Sequence, residues 1–401
     1  MTAIAPFRGH SSFCDVTDDR CHHPPARRPS RETFTYPTSR AAAHEPAVCV
    51  VDHQGNGRDS GDGCGIPPAA GWSSSGSRAD TSVASPTGST DRSIGYIAYW
   101  DQPRALQSIE AAGGALTEIS PSWYAPAVDG SIVRQMRGEV DDSAATVRRL
   151  QVNGALVVPA LANYRDKTWD PTVVADILAS PAKREEHVDR IRALVRNRGF
   201  DGIDIDYEHL TAADRAPFTA FVTALAAGLH ADGKLLSVTL HPKTSEPGPQ
   251  PKNQAQNYAA IDRVADEVRI MLYDYHWDTS APGALAPIKW VRSVMTWATT
   301  QVPRHKLVLG VATYGYDWVG RRGVSLMWTE IRARARAHDA TVHYNKKKQA
   351  PWFSFVDNRG RNHTVWFENA RSLAAKRSVM RDIGASGMHY WRLGGEDPAI
   401  W

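Results

Sequence analysis

Cysteine is nearly absent from this chain. There are four in 401 residues, Cys14, Cys21, Cys49 and Cys64, so everything beyond Cys64 must rest on a hydrophobic core rather than on disulfides. The cluster Cys14, Cys21, His22 and His23 has no recognisable zinc-ligand spacing, and an unstructured leader with incidental Cys and His accounts for it. No run approaches eighteen apolar residues, which excludes a membrane-spanning helix at the level of sequence. Charge of one sign is lacking too. A formal net charge of +4 gives no case for a nucleic-acid partner. Internal repeats are absent, which argues against a repeat-built wall anchor. Residues 1–30 offer no basic start followed by an apolar run, so no signal peptide is visible. Either export takes another route or the given start lies upstream of the true one.

Residues 1–92 are rich in Ser, Gly, Pro, Asp, Arg and His, with runs such as Ser73–Ser77 and Ser85–Thr90. Such stretches bury too little apolar surface to offset chain entropy, so a disordered leader or linker is expected there. Pattern begins at Ser93. Short apolar strands are expected at Ile94–Trp100, Leu116–Trp123, Ala155–Ala162, Gly199–Asp206, Leu235–His241, Val268–Tyr273, Leu307–Thr313 and Gly387–Trp391. Helical patterns lie between them at Ser143–Val152, Ala182–Asn197, Ala212–Ala231, Gln256–Ala265, Pro287–Thr300 and Ala370–Ile383. Strand–helix alternation means parallel strands with crossover helices. Eight units over 93–401 suit an α/β fold of the closed (β/α)8 TIM-barrel type, with a small insertion at about 317–367 between the seventh and eighth strands. An open doubly wound sheet is the other option, weakened because no Gly-rich phosphate turn follows the first strand.

The most informative stretch is Gly199-Phe200-Asp201-Gly202-Ile203-Asp204-Ile205-Asp206-Tyr207-Glu208. Side chains alternate faces along a strand, so Asp204, Asp206 and Glu208 point one way and Ile203, Ile205 and Tyr207 the other. In a barrel the acidic set faces the axis. Barrel interiors are normally packed with branched apolar side chains, so three inward carboxyls make poor structural sense. Like charges crowded together keep at least one group protonated near neutral pH, which is what a general acid requires. Glu208 comes last, at the mouth where barrel active sites sit. A metal site is disfavoured, because His209 would face away from Glu208 if the strand ran on.

Asp201-Gly202-x-Asp204-x-Asp206-x-Glu208 resembles the signature of glycoside hydrolase family 18, the chitinase-like family. Met271-Leu272-Tyr273-Asp274 resembles its sixth-strand motif, and Ser386–Trp391 its eighth strand, ending in a subsite tryptophan. Ile119–Tyr124 and Trp366–Ser372 resemble the bacterial branch that includes spore-cortex-lytic glucosaminidases. Trp391–Pro398 resembles bacterial members that occur alone or fused to polysaccharide deacetylases. The resemblance runs from about Ser93 to Trp401. It implies a retaining hydrolase for β-1,4 bonds beside N-acetylated amino sugars, in chitin, chito-oligosaccharide or peptidoglycan. The nucleophile is then the substrate's own acetamido oxygen, so no cofactor is implied. Glu208 would be the acid and base. Asp206 would orient the acetamido group, with Asp204 sharing a proton behind it. Tyr273 would donate to the acetamido oxygen, Asp274 would lie beside it, and Trp391 would floor the sugar ring.

Thirteen tryptophans is a high count. Trp123, Tyr275 and Tyr314 are the candidate groove aromatics, and Tyr96 on the first strand is a candidate for the axis near the acids. Arg332, Arg334, Arg336 and Lys346–Lys348 could contact an anionic wall polymer, though a solvated face is the simpler account. A monomer is expected, and action outside the cell or at the cell wall is expected from the substrate. The alternative to a hydrolase is a non-catalytic, lectin-like glycan-binding barrel, which the presence of Glu208, Asp206, Asp204 and Tyr273 together argues against.

Overall fold

The structure, a computed structural model, describes residues 91–135, 140–165 and 168–401. The leader expected at 1–92 thus lies almost wholly outside the described residues. The chain folds as an α/β structure around a large, curled, mostly parallel sheet of eleven strands. Seven of its neighbouring strands, in spatial order, are Gly202–Asp206, Leu235–Leu240, Glu267–Met271, Leu307–Ala312, Gly387–Trp391, Arg92–Ala98 and Glu118–Ser122. All the pairings are parallel except that of Tyr124–Pro126 with Ile132–Arg134.

Side-chain contacts across the concave face demonstrate the curl. The strand of Arg269 and the strand of Glu118 are four positions apart in the sheet. On a flat sheet that is about 19 Å, beyond the joint reach of two side chains. Yet the Arg269 guanidinium binds the Glu118 carboxylate directly. The sheet therefore wraps around this pair.

Outside the sheet, helices cover the apolar face. Pro181–Arg198 starts where the Ser180 hydroxyl accepts from the Lys183 N–H and ends at Gly199. That glycine takes a left-handed φ of 71°, which L residues adopt only with strain. Arg215–Ala231 buries Phe218, Phe221, Val222, Leu225, Ala226 and Leu229. They pack in one core with Ile203, Ile205 and Tyr207 from the outer face of the acidic strand. Each buried Phe is worth roughly 2–3 kcal/mol. Tyr207 stacks on Phe221 with centroids 5.8 Å apart, and its hydroxyl lies 2.7 Å from His187 Nε2.

The eight expected strands are all present, with shifted edges. Two of them, Leu116–Trp123 and Ala155–Ala162, are interrupted. The first yields Glu118–Ser122 with Tyr124–Pro126 adjoining, and the second Leu156–Val157 and Ala160–Ala162. Helices Gln102–Ala111 and Pro171–Ala179 were not expected. The second has a readable start, since the Asp170 carboxylate accepts from the N–H groups of Thr172 and Val173 ahead of Pro171. Between Ala312 and Ala370 the chain forms a separate five-stranded antiparallel sheet and the helix Trp328–Ala337. These carry a small core of Leu326, Ile331, Ala335, Phe353, Val365 and Phe367. The arginines there are partly spent internally. Arg334 pairs with Asp317, and Arg332 lies over the Trp328 ring.

Candidate active site

The acidic strand runs Gly202–Asp206 and buries every residue. Asp204 is deepest, fully buried, and its Oδ2 accepts from the Thr239 hydroxyl at 2.8 Å. Arg269 Nη1 stands 3.8 Å from the same oxygen. Asp206 comes next toward the mouth, and its Oδ1 is buried with no hydrogen-bond partner. Burial pushes the Asp206 carboxyl well up, with the Glu208 and Asp204 charges adding to it. Glu208 follows the strand's end. Its carboxyl is raised to about 7, mainly by burial; Lys252 pulls the other way and Asp274 adds to the rise. A buried imidazole, His241, has Nε2 3.3 Å from Glu208 Oε2. Burial, then Lys252 and His209, hold that imidazole well below its ordinary range, so it is neutral at pH 7.

The position of Glu208 is set by a residue that sequence reasoning passed over. Asn163 Oδ1 accepts from the Glu208 N–H at 2.8 Å, and Asn163 Nδ2 donates to the Glu208 carbonyl at 3.0 Å. This two-point clamp replaces the sheet ladder where the strand ends. His209 then takes a left-handed φ of 61° and turns into the cleft. The expectation that it would face away is corrected, because the extended backbone on which it depended stops at Asp206.

These groups open into a cleft of about 1040 Å³. Asp206, Glu208, Tyr273, Asp274, Tyr275, Trp391 and Tyr96 all line it. Asp204 lies beneath. Tyr96 is buried and meets Trp391 edge-on at 4.6 Å and His389 at 4.9 Å. Its hydroxyl engages Ser122. Burial pushes the Tyr273 phenol well up, and Asp206 and Glu208 add to this, so it remains a donor. Gly310, on the neighbouring strand, makes room for that ring, because a Cβ there would meet Tyr273 Cε1 at 3.3 Å and the Ile270 carbonyl oxygen at 2.8 Å. Asp274 has a strained φ of 53°. Its Oδ1 accepts from the Tyr314 hydroxyl at 2.6 Å and the Tyr316 hydroxyl at 3.3 Å. Burial raises its carboxyl to about 6 despite those bonds.

Two groove candidates are placed elsewhere. Trp123 is fully buried, packed on Tyr124 and Phe200, and its indole N–H donates to Gln102 Oε1 at 2.9 Å. The reason is strand parity. Ser122 lines the cleft, so its neighbour points into the helical layer. Tyr314 is buried behind Asp274 and supports it without lining the cleft, while Tyr316 does line it. An aromatic wall runs from the expected floor residue Trp391 through Trp100 (6.2 Å), Tyr164 (6.3 Å) and Trp169 (5.0 Å) to His209 (5.8 Å), and of these Tyr164 and Trp169 were not singled out. Trp100 and Tyr275 are both close to half exposed. No group of three or more His, Cys, Asp or Glu able to hold a metal occurs among the described residues. None of the described helices is long and apolar enough to cross a membrane.

Comparison with known proteins agrees with this geometry. The sequence model of the family described as Glycosyl hydrolases family 18 matches residues 167–396. The chain is 31% identical over 291 residues to the putative sporulation-specific glycosylase YdhD of Bacillus subtilis (strain 168), covering 71% of this chain and 68% of that protein. It is 30% identical over 275 residues to the cortical fragment-lytic enzyme of the same organism, covering 63% of this chain and 64% of that protein. Among solved structures, the spore cortex-lytic enzyme SleL of Bacillus megaterium QM B1551 superposes with a TM-score of 0.70 at 28% identity, over 78% of this chain and 72% of that one. With the acidic strand, the Tyr273–Asp274 pair and Trp391 facing one cleft, the chain belongs to glycosyl hydrolase family 18.

Proposed function

We propose that the protein hydrolyses β-1,4 bonds beside N-acetylglucosamine units in chitin, chito-oligosaccharide or peptidoglycan, with retention and with the substrate supplying the nucleophile. The observation that carries this is the stacking of Asp204, Asp206 and Glu208 from floor to mouth of one cleft, with Tyr273 lining the same space. Glu208, about half protonated near pH 7, gives its proton to the glycosidic oxygen as the bond to C1 breaks. The acetamido oxygen bonds to C1 and forms an oxazolinium ion. An Asp206 oxygen accepts from the acetamido N–H, and Tyr273 donates to the acetamido oxygen. Water then adds to C1, Glu208 takes its proton, and the acetamide is restored. Trp391, edge-on to Tyr96, offers its face as an apolar floor for the sugar ring.

The names of the relatives, glycosylases and cortex-lytic enzymes, support an amino-sugar glycan and favour cell-wall material. On such a substrate the site of action is extracellular or at the wall. We read 93–401 as one catalytic domain with an insertion at about 317–367, and the sheet as a closed eight-stranded barrel. Counting each interrupted strand once supports that closure. Glu118–Ser122 pairs with Leu156–Val157, and Tyr124–Pro126 with Ala160–Ala162, which in turn pairs with the acidic strand.

The test is release of reducing ends from chito-oligosaccharide and from purified peptidoglycan by the parent and by Glu208→Gln. The expected loss in the variant is about 10²–10⁴ in kcat, with oligosaccharide binding retained. Binding without cleavage by the parent would instead select the lectin-like reading.

A further inference from the structure

The cleft is acidic around the reacting centre, with Asp206, Glu208, Asp274 and Asp278 on its walls. Among the described residues only two Lys or Arg side chains line it, Lys243 and Lys252. Lys243 is spent. Its buried ammonium donates to the carbonyls of Pro247, Asn253 and Gln256 and pairs with Glu246 at 3.0 Å. Lys252, half-buried, has neither an ion pair nor a hydrogen bond to its ammonium among the described residues.

The segment that carries Lys252 is held firmly. Asn253 Nδ2 donates to the Pro242 carbonyl at 3.1 Å, and Asn253 Oδ1 accepts from the Gln250 N–H at 3.3 Å. Arg215 Nη1 donates to the Gln254 carbonyl at 2.8 Å and pairs with Glu246. Two cations are thus used to fix the loop, and the third is left pointing at the cleft. Lys252 is near enough to act electrostatically on Glu208, His209, His241 and Asp274. It nevertheless bonds to neither carboxylate.

A neutral glycan makes no demand for such a group. A glycan bearing carboxylates does, because bringing another anion beside Asp274, mostly ionised at pH 7, and the partly ionised Glu208 is repulsive unless a cation meets it. We propose that Lys252 binds a carboxylate on a sugar adjoining the scissile bond, so that the preferred substrate is an amino-sugar strand carrying acidic ether substituents, as the lactyl groups of peptidoglycan do. This rests on the hydrolase reading above and narrows its substrate.

The experiment uses the full chain and two forms of one polymer: peptide-free peptidoglycan strands with free lactyl carboxylates, and the same strands with those carboxylates amidated. Chito-oligosaccharide serves as the neutral control. The readout is the ratio of kcat/KM on the free-acid form to that on the amidated form, each at its own optimal pH. The expected ratio for the parent is at least tenfold above that of Lys252→Met, with Lys252→Arg restoring most of the difference. The same ratio in parent and Lys252→Met overturns the inference. So does a variant that shifts only the pH profile, equally on both forms, because Lys252 would then act on Glu208 alone. If the parent cleaves none of the three substrates, the hydrolase reading fails instead.

Discussion

Glu208 retains its proton toward neutral pH because its carboxyl is buried, and this has consequences for rate and stability alike. A general acid with its pKa raised to about 7 loses its working form above that pH. The rate on chito-oligosaccharide should therefore fall about tenfold per pH unit on the alkaline side, and a profile flat to pH 9 would remove Glu208 as the acid. The stability effect has a definite sign. The folded-state pKa lies above the ordinary 4.5, so the fold is penalised as pH rises from about 4.5 through 7. Below that window the penalty vanishes. Gln is neutral throughout. Glu208→Gln should therefore be more stable than the parent by about 3 kcal/mol at pH 8–9 and about equal to it near pH 4. Urea unfolding of both proteins at the two pH values tests this. A variant less stable than the parent at pH 8 would mean that the ionised Glu208 is well solvated.

At the scale of elements, what could be read in advance depended on whether side-chain alternation was followed through. On Gly202–Asp206 it was, and the inward acids and outward Ile203, Ile205 and Tyr207 are as expected. On the second strand the same alternation places Ser120 and Ser122 inside, and so excludes Trp123 from the groove. Counting aromatics without assigning faces hid this. Alternation also aligns Glu267, Arg269, Met271 and Tyr273, but a lone Arg in a short strand draws no notice until the fold shows its partners. Residues beyond strand ends need not keep that period. Asn163 lies forty-five positions from Glu208, and its side-chain bonds to that backbone have no local signature. Asn163→Ala should lower kcat about tenfold to a hundredfold through misplacement of the acid, with KM changed little. An effect confined to KM would mean that the clamp serves the groove instead.

For the whole molecule, the floor beneath the acids is an ion cluster that joins strands from different parts of the sheet. Arg92 pairs with Glu118 at 2.6 Å and Glu267 at 2.5 Å. Arg269 donates to Glu267 at 2.7 Å and to the Ser120 hydroxyl at 2.9 Å, and it binds Glu118 as well. It is fully buried. Branched apolar side chains could fill this volume at similar or better stability, so the cluster is not required for a fold as such. Its effect is to make one curvature far better than the others, since Arg269 meets Glu118 only when the sheet curls around them. Arg269→Met leaves Glu118 and Glu267 in a dry interior with half their partners, and should cost about 3–5 kcal/mol. High salt should change that loss little, because a buried cluster is poorly screened. Arg149→Ala removes an exposed pair with Glu110 and should cost under about 1 kcal/mol. Adding Glu118→Gln to Arg269→Met should recover part of the loss, because the abandoned charge goes with it. Denaturant midpoints of these four proteins decide the matter. If Arg269→Met costs no more than Arg149→Ala, the curl is held by the apolar layer outside the sheet and the cluster is incidental to it.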